Sequence, residues 1–236
     1  MRRGRRRSRL RRRPGGRPRR SGGNRSNRPL RDRRGRAPDY QPHPRRLLQG
    51  ASCRGAVMSR VGRPAVFLDR DGTLNTRPPS HSYVSSPDEF AWLDGAAEGV
   101  ALLARAGYAP AVVSNQRGIA RGLVEERVLR QIEVRIQDEL AARDCRIEAF
   151  RYCPHDLDDQ CACRKPAPGL LLELARELDL DLGRSWVIGD SESDVLAGEA
   201  AGCKTVLLGA PPSSCRPDRV AGSLLEAARL ITAERA

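Results

Sequence analysis

No apolar run in this sequence approaches the roughly 18 residues that a helix needs to cross a bilayer, so a helical membrane span is not expected. The basic N-terminus also lacks the apolar stretch of a secretory signal, which points to a cytoplasmic protein. Aromatic side chains are scarce: three Phe, two Trp and four Tyr are scattered over 236 positions. That is too few to build the stacking platform of a single-strand nucleic-acid binder. There is no internal repeat, so a repeat architecture is not expected either. Residues 1–57 contain no lysine and almost nothing apolar.

What residues 1–57 do contain is arginine. Twenty-one Arg stand there against two acids, Asp32 and Asp39, a net +19, whereas residues 58–236 carry 22 basic and 27 acidic side chains, a net −5. The excess positive charge of the chain therefore belongs to the tail, and the body is mildly acidic. A run such as RRGRRRSRLRRR can neutralise phosphates and hold nucleic acid non-specifically. Its Arg, Gly, Pro, Ser and Asn cannot bury enough surface to offset the entropy of ordering, so 1–57 reads as a disordered extension. Two other readings stand beside that one. Met58 opens MSRVGRPAVFLDRDGTL and offers a translation start eleven residues before Asp69, which would leave 1–57 upstream of the protein. The excess of Arg over acids also fits a transit peptide, although the Gly and Pro content opposes an amphipathic helix. Residues 58–236 form a single domain.

From Ala65 onward, short apolar runs alternate with helical patterns, the signature of parallel strands joined by crossover helices. Strands are predicted at AVFLD (65–69), APAVVSN (109–115), IEAFRYC (147–153), SWVIGD (185–190) and KTVLLG (204–209). Val124, Val128, Ile132, Ile136 and Leu140 recur every four residues and give one apolar face to a helix of about twenty residues between Gly122 and Asp144. Pro168 suits the first turn of a helix running to about Leu178, Gly107 suits the end of a helix after ALLARA, and SLLEAARLI closes the chain as a helix. The expected fold is α/β, a Rossmann-like parallel sheet of about five strands flanked by helices.

Ligands of such sheets bind beyond the carboxyl ends of the strands, and here those ends are polar. Asp69 and Asp71, two apart in an extended segment, point to the same side and share one site. Repulsion between them would raise the pKa of one, so that the ionised partner attacks or binds metal while the other holds a proton. Gly72 lets the backbone turn away behind them. Ser114-Asn115-Gln116 offers a hydroxyl and N–H groups to phosphate oxygens. Lys165 offers a cation to a phosphoryl group in transfer. Gly189-Asp190-Ser191-Glu192-Ser193-Asp194 adds carboxylates suited to Mg²⁺. Taken singly, each has a bland reading as a polar turn or a solvated face.

Cys153, His155, Cys161 and Cys163 fall within eleven residues and offer three thiolates and one imidazole, the complement of a tetrahedral zinc site. The intervening DLDDQ and single Ala could not form a core, so zinc would be structural and would hold the loop in shape. With four ligands filled, no position is left for a catalytic water. Ordering this loop would aim Arg164 and Lys165 at the strand ends. Cys145, Cys203 and Cys215 stand apart and read as small buried hydrophobes.

In the order DxDGT, SN, K and GDxxxD, the strand ends resemble the haloacid dehalogenase superfamily of phosphotransferases, over about residues 63–210. The resemblance implies a Mg²⁺-dependent phosphatase in which Asp69 is the nucleophile and Asp71 the general acid and base. It further implies that Mg²⁺ is held by Asp69, the Asp71 backbone carbonyl and Asp190, and that Ser114 and Lys165 stabilise the phosphoryl oxygens. The zinc loop narrows the resemblance to a subgroup that includes heptose bisphosphate phosphatases and the phosphatase portion of bifunctional histidine-biosynthesis enzymes. The runs SNQRGIARG (114–122) and CRKPAPG (163–169) look like the heptose enzymes, which implies removal of the 7-phosphate of a heptose 1,7-bisphosphate by a monomer. Asn115, Gln116, Arg117, Arg121 and Arg164 are then expected to bind the substrate, the arginines holding its second phosphate. No large cap domain is expected over the site.

Two departures keep other substrates open. The five-residue spacer between His155 and Cys161 is closer to histidinol-phosphate phosphatases, and an Arg-Pro-Pro-Ser insertion at 77–80 would reshape the pocket. A nucleic-acid-binding protein or polynucleotide 3′-phosphatase requires the arginine tail to be part of the protein.

Overall fold

Strand β1 (Ala65–Leu68) is four apolar residues with none of its surface exposed, which only a strand covered on both faces can be. In the computed structural model, which describes residues 62–79, 82–210 and 214–234, β1 lies third in a six-stranded sheet. The other strands are β2 (Ala109–Asn115), β3 (Ala149–Cys153), β4 (Trp186–Gly189), β5 (Lys204–Leu208) and β6 (Arg219–Ala221). All pairs are parallel and the spatial order is β3-β2-β1-β4-β5-β6. That is the doubly wound, Rossmann-like order, with its switch point between β1 and β4.

Alternation along the strands divides the core in two. Val66, Leu68 and Val112 face helices α1 (Ala96–Arg105), α2 (Glu126–Ala141) and α5 (Leu224–Ala233). Ala65, Phe67, Ala111 and Val113 face α3 (Gly169–Leu178), and α4 (Glu192–Ala201) packs beside α3 on that side. The five expected strands are all present. The sixth, β6, is three residues long, too short to show a period in sequence, and two of its residues are exposed.

Helix α2 is shorter than the 122–144 pattern suggested. The Gly118 carbonyl accepts from the N–H groups of both Leu123 and Val124, closing a turn that keeps Val124 buried but outside the helix. Pro168 stands just ahead of α3, at its N-cap rather than inside its first turn. Gly107, at φ 84°, ends α1 in the left-handed conformation that a residue with a Cβ disfavours. Cys203 and Cys215 are buried, but Cys145 is half-exposed at the rim of the core. No helix among the described residues is long and apolar enough to cross a membrane. No cap domain is present among the described residues, and those between β1 and α1 hold one short 3₁₀ turn, Pro87–Glu89, and isolated bridges from Asn75 to Asp71 and Trp92. The extension at 1–57 and the start at Met58 lie outside the described residues.

Candidate active site

The strand register brings the polar ends together. The Asp69 N–H donates to the Ile188 carbonyl at 3.0 Å, extending β1 by one bond and setting Asp69 beside the end of β4. Lys165, one of only two lysines in the chain, reaches in from the segment before α3. Its Nζ lies 2.8 Å from Asp69 Oδ1, 2.5 Å from Asp194 Oδ1 and 2.7 Å from the Val113 carbonyl. The ammonium is almost fully buried. Burial disfavours its charge, but Asp194 and Asp69 outweigh that and raise its pKa, so it stays a cation.

Asp69 is pushed up to about 6, first by burial and then by the charges of Asp194 and Asp71, with Lys165 opposing them. Its carboxylate oxygens approach those of Asp190 and Asp194 to within 4.8 Å. Two glycines clear this space. A Cβ on Gly72, which sits at φ 95°, would fall 1.8 Å from Asp190 Oδ2, and one on Gly189 would fall 2.3 Å from Asp194 Oδ2. Three carboxylates face two cations here, Lys165 and Arg77, the latter 2.5 Å from Asp190 Oδ1. The uncompensated charge and the all-oxygen donor set fit a hard divalent cation such as Mg²⁺.

Asp71 takes a different environment from Asp69, and the division of proton affinity expected from their repulsion runs the other way. Arg70, completely buried, grips Asp71 through Nε and Nη2 at 3.1 and 2.8 Å. Asn75 Nδ2 and Gln116 Nε2 donate to the same carboxylate at 3.0 and 2.8 Å. Burial works against the Asp71 charge, but Arg70 and these hydrogen bonds prevail and hold its pKa below the usual carboxylate value.

The other residues singled out in sequence fall into two groups. Ser114 is buried, lines the cavity above Asp69 and accepts from Gln116 Nε2 at 3.2 Å. Gln116 faces Asp71 and Arg70. Asn115 borders the cavity with its amide engaged by the Lys165 backbone, donating to the carbonyl at 3.0 Å and accepting from the N–H at 3.1 Å. The three arginines do not line this cavity. Arg117 is paired with Asp156, Arg121 meets the Tyr83 hydroxyl at 3.5 Å, and Arg164 donates to the His155 carbonyl at 3.4 Å. The loop therefore aims Lys165 at the site and Arg164 back at itself.

Cys153, His155, Cys161 and Cys163 do converge. Cys153 Sγ lies 3.5 Å from Cys161 Sγ and 3.4 Å from Cys163 Sγ, and His155 Nδ1 lies 3.2 Å from Cys163 Sγ. Ligands at about 2.3 Å from a tetrahedral zinc would stand about 3.8 Å apart, so four converging soft donors at this spacing fit Zn²⁺. The hydrogen bond between Cys153 and Cys163 splits their proton affinities, lowering the Cys153 thiol and raising the Cys163 thiol. Cys153 ends β3 and its carbonyl accepts from the Gln116 N–H at 2.8 Å, which ties the cluster to the active-site loop.

Two functional residues, Arg70 and Arg77, carried no role in the sequence reading, and Asp194 was read only as one of the carboxylates suited to Mg²⁺. Asp194 was legible as the last member of Ser191-x-x-Asp194, a helix-capping box: Oδ2 caps α4 through Ser191, leaving Oδ1 for Lys165. Arg70 is hidden by its own type, because an arginine between two aspartates reads as solvated surface. Arg77 was visible only as part of the insertion.

Residues 162–227 match the HAD-hydrolase-like family model. The D-glycero-beta-D-manno-heptose-1,7-bisphosphate 7-phosphatase of Photorhabdus laumondii is 38% identical over 173 residues, 70% of this chain and 90% of that protein. The protein of the same name from Rhodopseudomonas palustris is 41% identical over 147 residues, 59% of this chain and 80% of its own. Among solved structures, the D,D-heptose 1,7-bisphosphate phosphatase of B. bronchiseptica, complexed with magnesium and phosphate, superposes with a TM-score of 0.66 at 34% identity. That match covers 72% of this chain and 99% of the other.

Proposed function

The chain belongs to the haloacid dehalogenase-like phosphatases, in the family of the heptose bisphosphate phosphatases, and from that membership we propose that it removes the 7-phosphate of D-glycero-D-manno-heptose 1,7-bisphosphate. The observation that carries the chemistry is the buried contact of Lys165 Nζ with Asp69 at the end of β1. With its pKa near 6, Asp69 is ionised at neutral pH and free to attack. Its oxygen forms a bond to phosphorus, the bond to the sugar oxygen breaks, and Asp71 gives that oxygen a proton. Asp71 then takes a proton from the water that attacks phosphorus, and the bond to Asp69 breaks to release phosphate. Held low by Arg70, Asp71 gains proton affinity when a phosphate anion settles beside it. Lys165 and Ser114 hold the phosphoryl oxygens.

Asp69, the Asp71 backbone carbonyl and Asp190 would hold Mg²⁺, which when bound neutralises charge on the phosphoryl group. Cys153, His155, Cys161 and Cys163 would hold a structural Zn²⁺. The name shared by the relatives supports the heptose reading over histidinol phosphate, and the net −5 charge of residues 58–236 gives no support to a polynucleotide substrate. We place the enzyme in the cytoplasm as a monomer acting on a small phosphorylated sugar.

The test is kcat/KM on both anomers of the heptose bisphosphate, on histidinol phosphate and on a 3′-phosphorylated oligonucleotide, with Asp69→Asn as control. One heptose anomer should lead the other two substrates by at least about 100-fold, and the control should lose about 10⁴-fold or more. Parity between histidinol phosphate and the heptose, or an active control, would refute the proposal.

A further inference from the structure

The bisphosphate reading leaves one phosphate without a partner. A doubly phosphorylated sugar presents one group to Asp69 and carries a second anion elsewhere in the same cavity. That cavity has a volume of 390 Å³, within the range of small-ligand sites. Its lining contains two cations. Lys165 is committed to Asp69 and Asp194 at the reacting end. The arginines that the sequence offered for the second phosphate are turned to Asp156, Tyr83 and His155. The remaining cation is Arg77.

Arg77 is built to serve such a ligand. Its backbone leaves the anchored part of the first loop, where the Thr76 N–H donates to the Ala91 carbonyl at 2.9 Å and the Thr76 carbonyl accepts from Asn75. Pro78 and Pro79 follow, which confine Arg77 to extended backbone and stiffen the segment beyond it. The side chain, 56% exposed, crosses to Asp190 and has no other ion-pair partner among the described residues. A guanidinium on a stiff base with an exposed side chain can exchange a carboxylate for a phosphate, which it meets with two parallel hydrogen bonds. A divalent cation on Asp190 would favour that exchange by repelling Arg77 from the carboxylate it shares.

We propose that Arg77 binds the second, non-reacting phosphate and so sets the preference for a bisphosphate over a monophosphate. This inference rests on the heptose bisphosphate reading. It is tested with heptose 1,7-bisphosphate and heptose 7-phosphate on the wild type, Arg77→Ala and Arg77→Lys. The wild type should prefer the bisphosphate, Arg77→Ala should lower that preference in kcat/KM by about 10- to 100-fold, mainly through KM, and Arg77→Lys should restore part of it. Calorimetric Kd values for both ligands, taken with Mg²⁺ present in an Asp71→Asn background, which keeps the Asp69 and Asp190 carboxylates, should show the same loss without turnover. If the wild type prefers the bisphosphate and Arg77→Ala keeps that preference, Arg77 is not the partner and the heptose reading stands. Equal losses on both substrates would likewise overturn the assignment and place Arg77 in support of Asp190. A wild type with no preference overturns both.

Discussion

Two clusters among the described residues are able to hold a metal, and both hang from the ends of parallel strands, yet they are kept in shape by different means. Asp69, Asp190 and Asp194 come from segments more than a hundred residues apart. Each is fixed by the protein itself: Asp69 by the sheet and Lys165, Asp194 by the cap of α4, Asp190 by the space that Gly72 leaves. The Cys/His cluster lies within one loop. Cys153 alone of the four is fully buried, Cys161 and Cys163 pack at the edge of the core, and Leu157 of the excursion is 58% exposed. A pocket assembled from strand ends is preorganised before its ion arrives, whereas a polar loop with no core takes its shape from the ion.

Selective metal removal is the strongest way to break that comparison. Stripping zinc, or the substitution Cys161→Ser, should lower the melting temperature steeply, because a structural zinc can contribute on the order of 10 kcal/mol to folding. Activity should fall with it, since Arg164 and Lys165 follow Cys163 directly. Removing Mg²⁺ alone should abolish turnover, leave the melting curve within a few degrees and reverse on adding Mg²⁺ back. Zinc-free protein that melts like the metal-bound form would show that the loop folds by itself.

Asp194→Asn probes the preorganised side. The amide can still accept at the α4 cap, but Lys165 loses one of its two buried carboxylates. The expected cost is about 3 kcal/mol in urea unfolding, at the low end for breaking a buried pair because Asp69 remains, with a fall in kcat of about 100-fold. A more stable variant would mean that repulsion among the three carboxylates outweighs their attraction to Lys165.

Much of this division was legible in the sequence. Short apolar runs located five strands and the period-4 pattern located the buried stripe of α2, because burial on a fixed geometry leaves a local trace. The Cys/His cluster was legible because its spacing is local. Contacts between distant segments leave no such trace. The fully buried Arg70 could not be told from surface, nor could Arg117, Arg121 and Arg164 be seen turning away from the cavity. The proton affinities of Asp69 and Asp71 were misjudged for the same reason. The repulsion between neighbours is local and readable, while the Arg70, Asn75 and Gln116 contacts that override it depend on the folded chain.

Asn115 is where the two clusters join, and its removal is the mildest and most discriminating perturbation. In the sheet it stands opposite Cys153, the buried member of the Cys/His cluster, and its amide brackets the backbone of Lys165 with two hydrogen bonds. The sequence suggested instead that Asn115 binds substrate. The two roles separate in the kinetics of Asn115→Ala. A clamp on Lys165 predicts a loss of about 1–2 kcal/mol of stability from two partly buried hydrogen bonds. It also predicts a fall of about 10-fold in kcat with KM little changed, because a cation that drifts from the reacting phosphoryl group weakens the transition state more than the bound substrate. A substrate contact predicts a higher KM at unchanged stability. If stability and kcat fall together, zinc loop and aspartate pocket are mechanically one unit joined at Asn115. If only KM moves, Lys165 holds its place without the clamp.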